Sequence, residues 1–213
     1  MKTSILLKLS QQDVDFLIPK LEKDVPLAID PFLLYKSKNQ EFRNLHSKIL
    51  DVFNEGIRQF ATGNKLNSEK IIDFPEVKEI GLGYGKNTKK GTGLGTYLNR
   101  LVIDTFESSP DLLKRGVKHI EEMQLISLGI GPDRISDVTA NILKEYLVTY
   151  TQMQCDLWKI PLKSKVPLEH LLDLESFEWY DGYFDLPVNH NNEPILLVPR
   201  WILRNLPWIN FDD

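Results

Sequence analysis

The chain has 213 residues, 42% of them hydrophobic and 26% charged, with a formal net charge of −4. That length and balance bury a substantial core and argue against a disordered chain. The acidic sign excludes a generally basic protein that coats nucleic acid, so any nucleic-acid contact would need a local basic patch.

The opening "MKTSILLKLSQQD" has too short an apolar run for a signal peptide, and no later stretch approaches about 18 apolar residues in a row. A soluble cytoplasmic protein is expected. Ser10 reads as the N-cap of a short helix limited by Pro19. "VPLAIDPFLLYKS" reads as a short strand or an extended connection. Residues 40–61 space Phe42, Leu45, Ile49, Val52, Phe53 and Phe60 at helical intervals, with Gly63 suited to a left-handed cap. "KIIDFPEVKEIGLG" reads as a strand in which Pro75 marks a kink or an edge. After a glycine-rich loop, "GTYLNRLVIDTFE" resumes a helical pattern. Ser109, Pro110 and Asp111 then form a strong helix opening.

Residues 134–158 read as one long helix. Taken at about 100° per residue, Ile135, Val138, Ile142, Tyr146, Tyr150, Met153 and Leu157 share a core-facing sector. Asp133, Asp137, Asn141 and Lys144 gather on the other side. The lone cysteine, Cys155, cannot form an internal disulfide and reads as a buried, inert thiol. From Pro161 onward prolines alternate with Trp179, Tyr180, Tyr183, Phe184, Trp201 and Trp208, and "YFDLPVNHNNEPILLVPR" reads as two short strands around an Asn-rich turn. The expected fold is α+β, mostly helical, with a small mixed sheet from segments near 27–34, 71–82 and 184–198. Residues 1–160 form the expected core, and 161–213 a proline- and aromatic-rich extension. The large apolar residues near the end also suit an amino-terminal piece of a longer protein.

Three features could carry chemistry. "EIGLGYGKNTKKGTGLG", residues 79–95, holds six of the twelve glycines with Lys86, Lys89 and Lys90. It fits neither the P-loop nor the dinucleotide pattern, leaving a flexible hairpin or a clamp on a phosphate backbone. In "PEVKEI", Glu76 and Lys78 would share one face of a strand, able to bind metal and position water. In "GIGPDRISDVTANILKEY", Asp133 and Asp137 either open a helix or hold a divalent cation such as Mg²⁺ one turn apart. Arg134 and Lys144 would then meet an anionic substrate. The histidines are dispersed, so no zinc site is expected. The aromatic cluster at 177–184 suits core or interface contacts, or base stacking.

Together, Glu76-Val-Lys78, the acidic turn at Asp133 to Asp137 and the basic glycine loop resemble the PD-(D/E)XK nuclease superfamily, many of whose bacterial members act in defence against foreign DNA. The superfamily usually places its Asp before the Glu-x-Lys. Asp133 follows it here, whereas Asp30 in "LAIDPF" precedes it. The resemblance implies a Mg²⁺-dependent nuclease whose family residues carry over to Glu76, Lys78 and either Asp30 or Asp133; the full candidate set is catalytic Glu76, Lys78, Asp133 and Asp137, with Glu76, Asp133 and Asp137 on the metal. Lys86, Lys89, Lys90, Arg134 and Lys144 would contact nucleic acid. The alternative is a non-enzymatic interaction domain whose carboxy-terminal aromatic region binds a protein partner.

Overall fold

The computed structural model describes residues 8–20, 25–82, 94–126 and 129–205. The fold is α+β and mostly helical. Strand β1 (Leu27–Ile29) leads into α1 (Pro31–Tyr35), whose first turn is closed by Asp30 accepting from the Phe32 N–H. Asn39 caps α2 (Gln40–Ala61) in the same way, and Leu45, Ile49, Val52, Phe53 and Ile57 bury the predicted apolar stripe. Each such side chain contributes roughly 1.5–3 kcal/mol by leaving water. Gly63 follows with φ +85°, the expected left-handed turn. Helix α3 (Lys65–Ile71) folds back on α2 so closely that a β-carbon on Gly56 would lie 2.8 Å from Ile72 Cγ2.

Helix α4 (Leu94–Ser108) precedes α5 (Pro110–Arg115). The Ser109–Pro110–Asp111 opening is present, but α5 stops after six residues because Gly116 turns the chain at φ +67°. Asn54 of α2 reaches across to the turn and accepts from the Val117 N–H at 2.8 Å. Helix α6 (Glu122–Ile126) follows, with Glu122 accepting from the Lys118 and His119 N–H groups and pairing with Arg115 at 2.6 Å.

The expected long helix is two helices, α7 (Pro132–Ile142) and α8 (Lys144–Leu157), separated at Leu143 (φ −91°, ψ 8°). The break resets the helical phase. Ile135, Val138, Ile142 and Tyr150 are buried as expected, but α8 also buries Leu147, Thr151 and Cys155, about a third of a turn from the predicted sector. Met153 and Leu157, expected inside, are 61% and 66% exposed. Cys155 is buried, and burial alone pushes its thiol up to about 12, the inert state expected of it.

Among the described residues the strands form two separate two-stranded antiparallel sheets, β1 with β4 (Leu203–Asn205) and β2 (Lys163–Asp173) with β3 (Glu178–Leu186), in place of one mixed sheet. Segment 71–82 joins neither. It leaves α3, runs extended past Pro75 and turns through a 3-10 helix at Lys78–Ile80. The β2–β3 hairpin carries two register shifts, with Lys165 (φ 55°) and His170 (φ 60°) in the left-handed region. Asp185 and Asp181 on β3 accept from the N–H groups of these two bulged residues. A bulge re-aims the side chain it carries, and here His170 turns inward. Residues beyond 160 supply Val166, Leu168, Leu171, Leu172, Leu186, Leu196, Val198 and Ile202 to the main core, so this stretch is woven into the core it was expected to extend. Among the described residues no helix is long and apolar enough to cross a membrane.

Candidate functional site

Segment 70–80 is not held by strand pairing but by side chains from four elements. Trp179 of β3 donates its indole N–H to the Lys70 carbonyl at 2.7 Å. His170 of β2 lies 2.7 Å from the Asp73 carbonyl and stacks on Trp179 with ring centroids 4.0 Å apart. A carbonyl only accepts, so His170 Nε2 carries the proton there. Asn141 of α7 donates to the Pro75 carbonyl at 2.5 Å and to the Asp137 carbonyl at 2.9 Å. Lys144 of α8 pairs with Glu79 at 3.0 Å and donates to the Glu169 carbonyl at 2.9 Å. The Leu196 N–H meets the Glu79 carbonyl at 2.8 Å. Buried polar groups in a segment without a ladder must find partners elsewhere, and these side chains supply them.

This clasp changes the reading of the predicted residues. Asn141 and Lys144 are fully or nearly fully buried structural groups, and Lys144, 4% exposed, is turned toward Glu79 and away from any substrate in solvent. Glu76 and Lys78 are both exposed on either side of buried Val77, but on non-strand chain. Asp133 sits in the first turn of α7, behind Gly131 and Pro132, and is half-buried; burial raises its carboxyl above the usual range, with Arg134 opposing. Arg134 and Asp137 are half-buried along the same helix. Among the described residues no group of three or more His, Cys, Asp or Glu side chains is placed to hold a metal ion. Asp30 caps α1 and pairs with Arg204 at 2.6 Å. Lys86, Lys89 and Lys90 lie outside the described residues.

Beside Asp30 lies a cavity of about 160 Å³ lined by Glu121, Gln124, Arg204 and Asn205. Both oxygens of Glu121 are buried, and no donor meets them with full hydrogen-bond geometry. Burial is the main cause raising its carboxyl above the usual value; Asp30 adds to it, while its own N–H, His119 and the Phe32 N–H offset part of it. Nearby, His46 and His119 place ring centroids 5.7 Å apart, and burial, with His119, lowers His46. The Glu121 oxygens are sealed from solvent, so the polar side chains this cavity offers a ligand are those of Gln124, Arg204 and Asn205.

The larger opening lies on the outer side of the clasp. A slot of about 380 Å³ is lined by Glu145 of α8 and by Asp173, Ser176, Glu178, Trp179 and Tyr180 at the β2–β3 turn. Asp173 shapes the turn: its carboxylate accepts from the Glu175 N–H and the Ser176 hydroxyl, both at 2.9 Å, which holds its carboxyl below the usual range. The Tyr180 hydroxyl donates to Glu145, and burial followed by that bond pushes its phenol up to about 12. Three carboxylates and two aromatic rings thus share one open surface, a combination suited to a cation.

The aromatic part of this slot was visible in the sequence; its acid set was not singled out. The signal was there, because Val166 to Pro199 holds seven acidic residues and no lysine or arginine. Glu145 gave no signal, since its placement depends on the break at Leu143.

A family model described as a domain of unknown function (DUF8370) matches residues 6–210, and the chain belongs to that family. No curated protein and no solved structure matches the chain.

Proposed function

We propose that this family member is a protein-interaction domain whose slot between α8 and the β2–β3 turn takes a lysine- or arginine-bearing segment of a partner protein. One observation carries the reading: Glu145, Asp173 and Glu178 converge with Trp179 and Tyr180 on one open slot. A guanidinium or ammonium entering it gains charge-assisted hydrogen bonds and the face of an aromatic ring. The base-free stretch from 166 to 199 adds a negative field that attracts such a segment. The alternative is the nuclease reading, in which Glu76, Asp133 and Asp137 would act on one divalent cation.

The test is fluorescence anisotropy with labelled hexa-arginine, using hexa-glutamate as control. Hexa-arginine should bind, weaken with added salt, and lose about two- to fivefold in affinity for each slot carboxylate neutralised, as Glu145→Gln or Glu178→Gln. Equal binding by wild type and both variants removes the slot from the account. Mg²⁺- or Mn²⁺-dependent cleavage of linear DNA or RNA, lost in Glu76→Ala and Asp133→Ala, would establish the nuclease reading instead.

A further inference from the structure

We infer that the slot selects arginine over lysine, and that Glu178 and Trp179 are the residues that make the selection. The inference rests on the slot reading and names the side chain of the partner that enters.

The three acids of the slot are not equivalent. Both Asp173 oxygens already accept from the turn, Oδ1 from the Glu175 N–H and Oδ2 from the Ser176 hydroxyl. Glu145 takes the Tyr180 hydroxyl on Oε1. Glu178 is exposed, and among the described residues neither of its oxygens is engaged. A carboxylate with both oxygens open receives a guanidinium through two parallel N–H···O bonds. An ammonium is a compact point charge and has no such fork. Glu178 is therefore the slot acid at which the two side chains differ most.

Trp179 adds a second difference. Its indole N–H is spent on the Lys70 carbonyl, and one face of the ring is stacked on His170 with 21° between the planes. Phe74 meets it at 83°, with centroids 5.8 Å apart. The ring that lines the slot is thus held flat and has no donor left, so what it offers a cation is π surface. A guanidinium stacks on such a surface and is weakly hydrated, whereas an ammonium gives up strongly held water to approach it. The turn that presents both residues is fixed in advance. Phe177, at φ 57°, donates its N–H to the Asp173 carbonyl at 2.8 Å and packs on the main core. That backbone is ordered before a ligand arrives, which lowers the cost of binding and sharpens the choice.

The experiment titrates the full chain with labelled hexa-arginine and labelled hexa-lysine at one salt concentration. Hexa-arginine should bind about fivefold tighter. Arginine peptides hold acidic surfaces well in general, so the variants decide. Glu178→Gln, altered only at an exposed position, should bring the ratio below about twofold, and Trp179→Leu should do the same. Glu145→Gln should weaken both peptides alike and keep the ratio. Equal binding of the two peptides by wild type overturns the selection and leaves the slot intact. A ratio that Glu178→Gln leaves unchanged, or that Glu145→Gln lowers equally, assigns the preference to overall charge and also overturns it. Failure of hexa-arginine to bind wild type overturns slot and selection together.

Discussion

Lys144 and Glu145 are neighbours in the chain and opposites in circumstance. Lys144 is 4% exposed and fully engaged by Glu79 and the Glu169 carbonyl. Glu145 is exposed and lines an open slot, where it accepts from the Tyr180 hydroxyl. Behind the hairpin the polar side chains hold segment 70–80, which has no ladder of its own; in front of it they face solvent with bonding capacity left over. Position along the sequence says nothing of this difference. It follows from the one-residue step around α8, which turns a side chain through about 100°, and from the break at Leu143 that sets the helix's phase.

The comparison can be broken first at its buried half. Lys144→Met leaves Glu79 without its cation in a mostly buried place, and breaking such a pair costs about 3 kcal/mol. Urea unfolding measures it, and a loss below about 1 kcal/mol would show that the clasp carries little of the fold. Trp179 belongs to both halves, giving its N–H to Lys70 and its ring to the slot. Trp179→Phe keeps a ring but leaves the carbonyl unbonded, so it should lose about 1 kcal/mol of stability and weaken hexa-arginine binding together. A change in only one of the two would separate the regions more sharply than the structure does.

Glu121 is a third case, with both oxygens buried like Lys144 but met by no donor with full hydrogen-bond geometry. Its carboxyl is raised in the folded chain, so the fold binds that proton more tightly than the unfolded chain does. Its contribution is therefore complete below the ordinary value of 4.5 and is lost as pH rises through the folded value. Glu121→Gln, which stays neutral, should be more stable than wild type at pH 7, and the gap should close as pH falls toward 4.5. A gap that widens on acidification would reverse the assignment. The smallest stability effect belongs to the open half: Glu145→Gln and Glu178→Gln should unfold within about 0.5 kcal/mol of wild type while binding hexa-arginine less well.

Much of the fold was legible before any coordinates. The apolar spacing of α2, the turn at Gly63 and the opening at Pro110 are local signals, and each is present. What was not legible depended on tertiary partners. "KIIDFPEVKEI" has strand-like composition, yet Asn141, His170 and Trp179, distant in sequence, satisfy its carbonyls and no strand forms. His170 turns inward through a bulge whose N–H is taken by Asp181, eleven residues away. Leu143 carries neither glycine nor proline to announce a helix break. The site was half legible for the same reason: the aromatic cluster at 177–184 was plain, whereas Glu145 reaches it only after that break.

Amide chemical shifts followed while hexa-arginine is added to ¹⁵N-labelled protein test the central claim most directly. The account predicts that the largest changes fall at Glu145, Asp173 to Tyr180 and the Trp179 indole, and shrink with added salt. Changes centred instead on Asp133 to Asp137, or no changes at all, would contradict it.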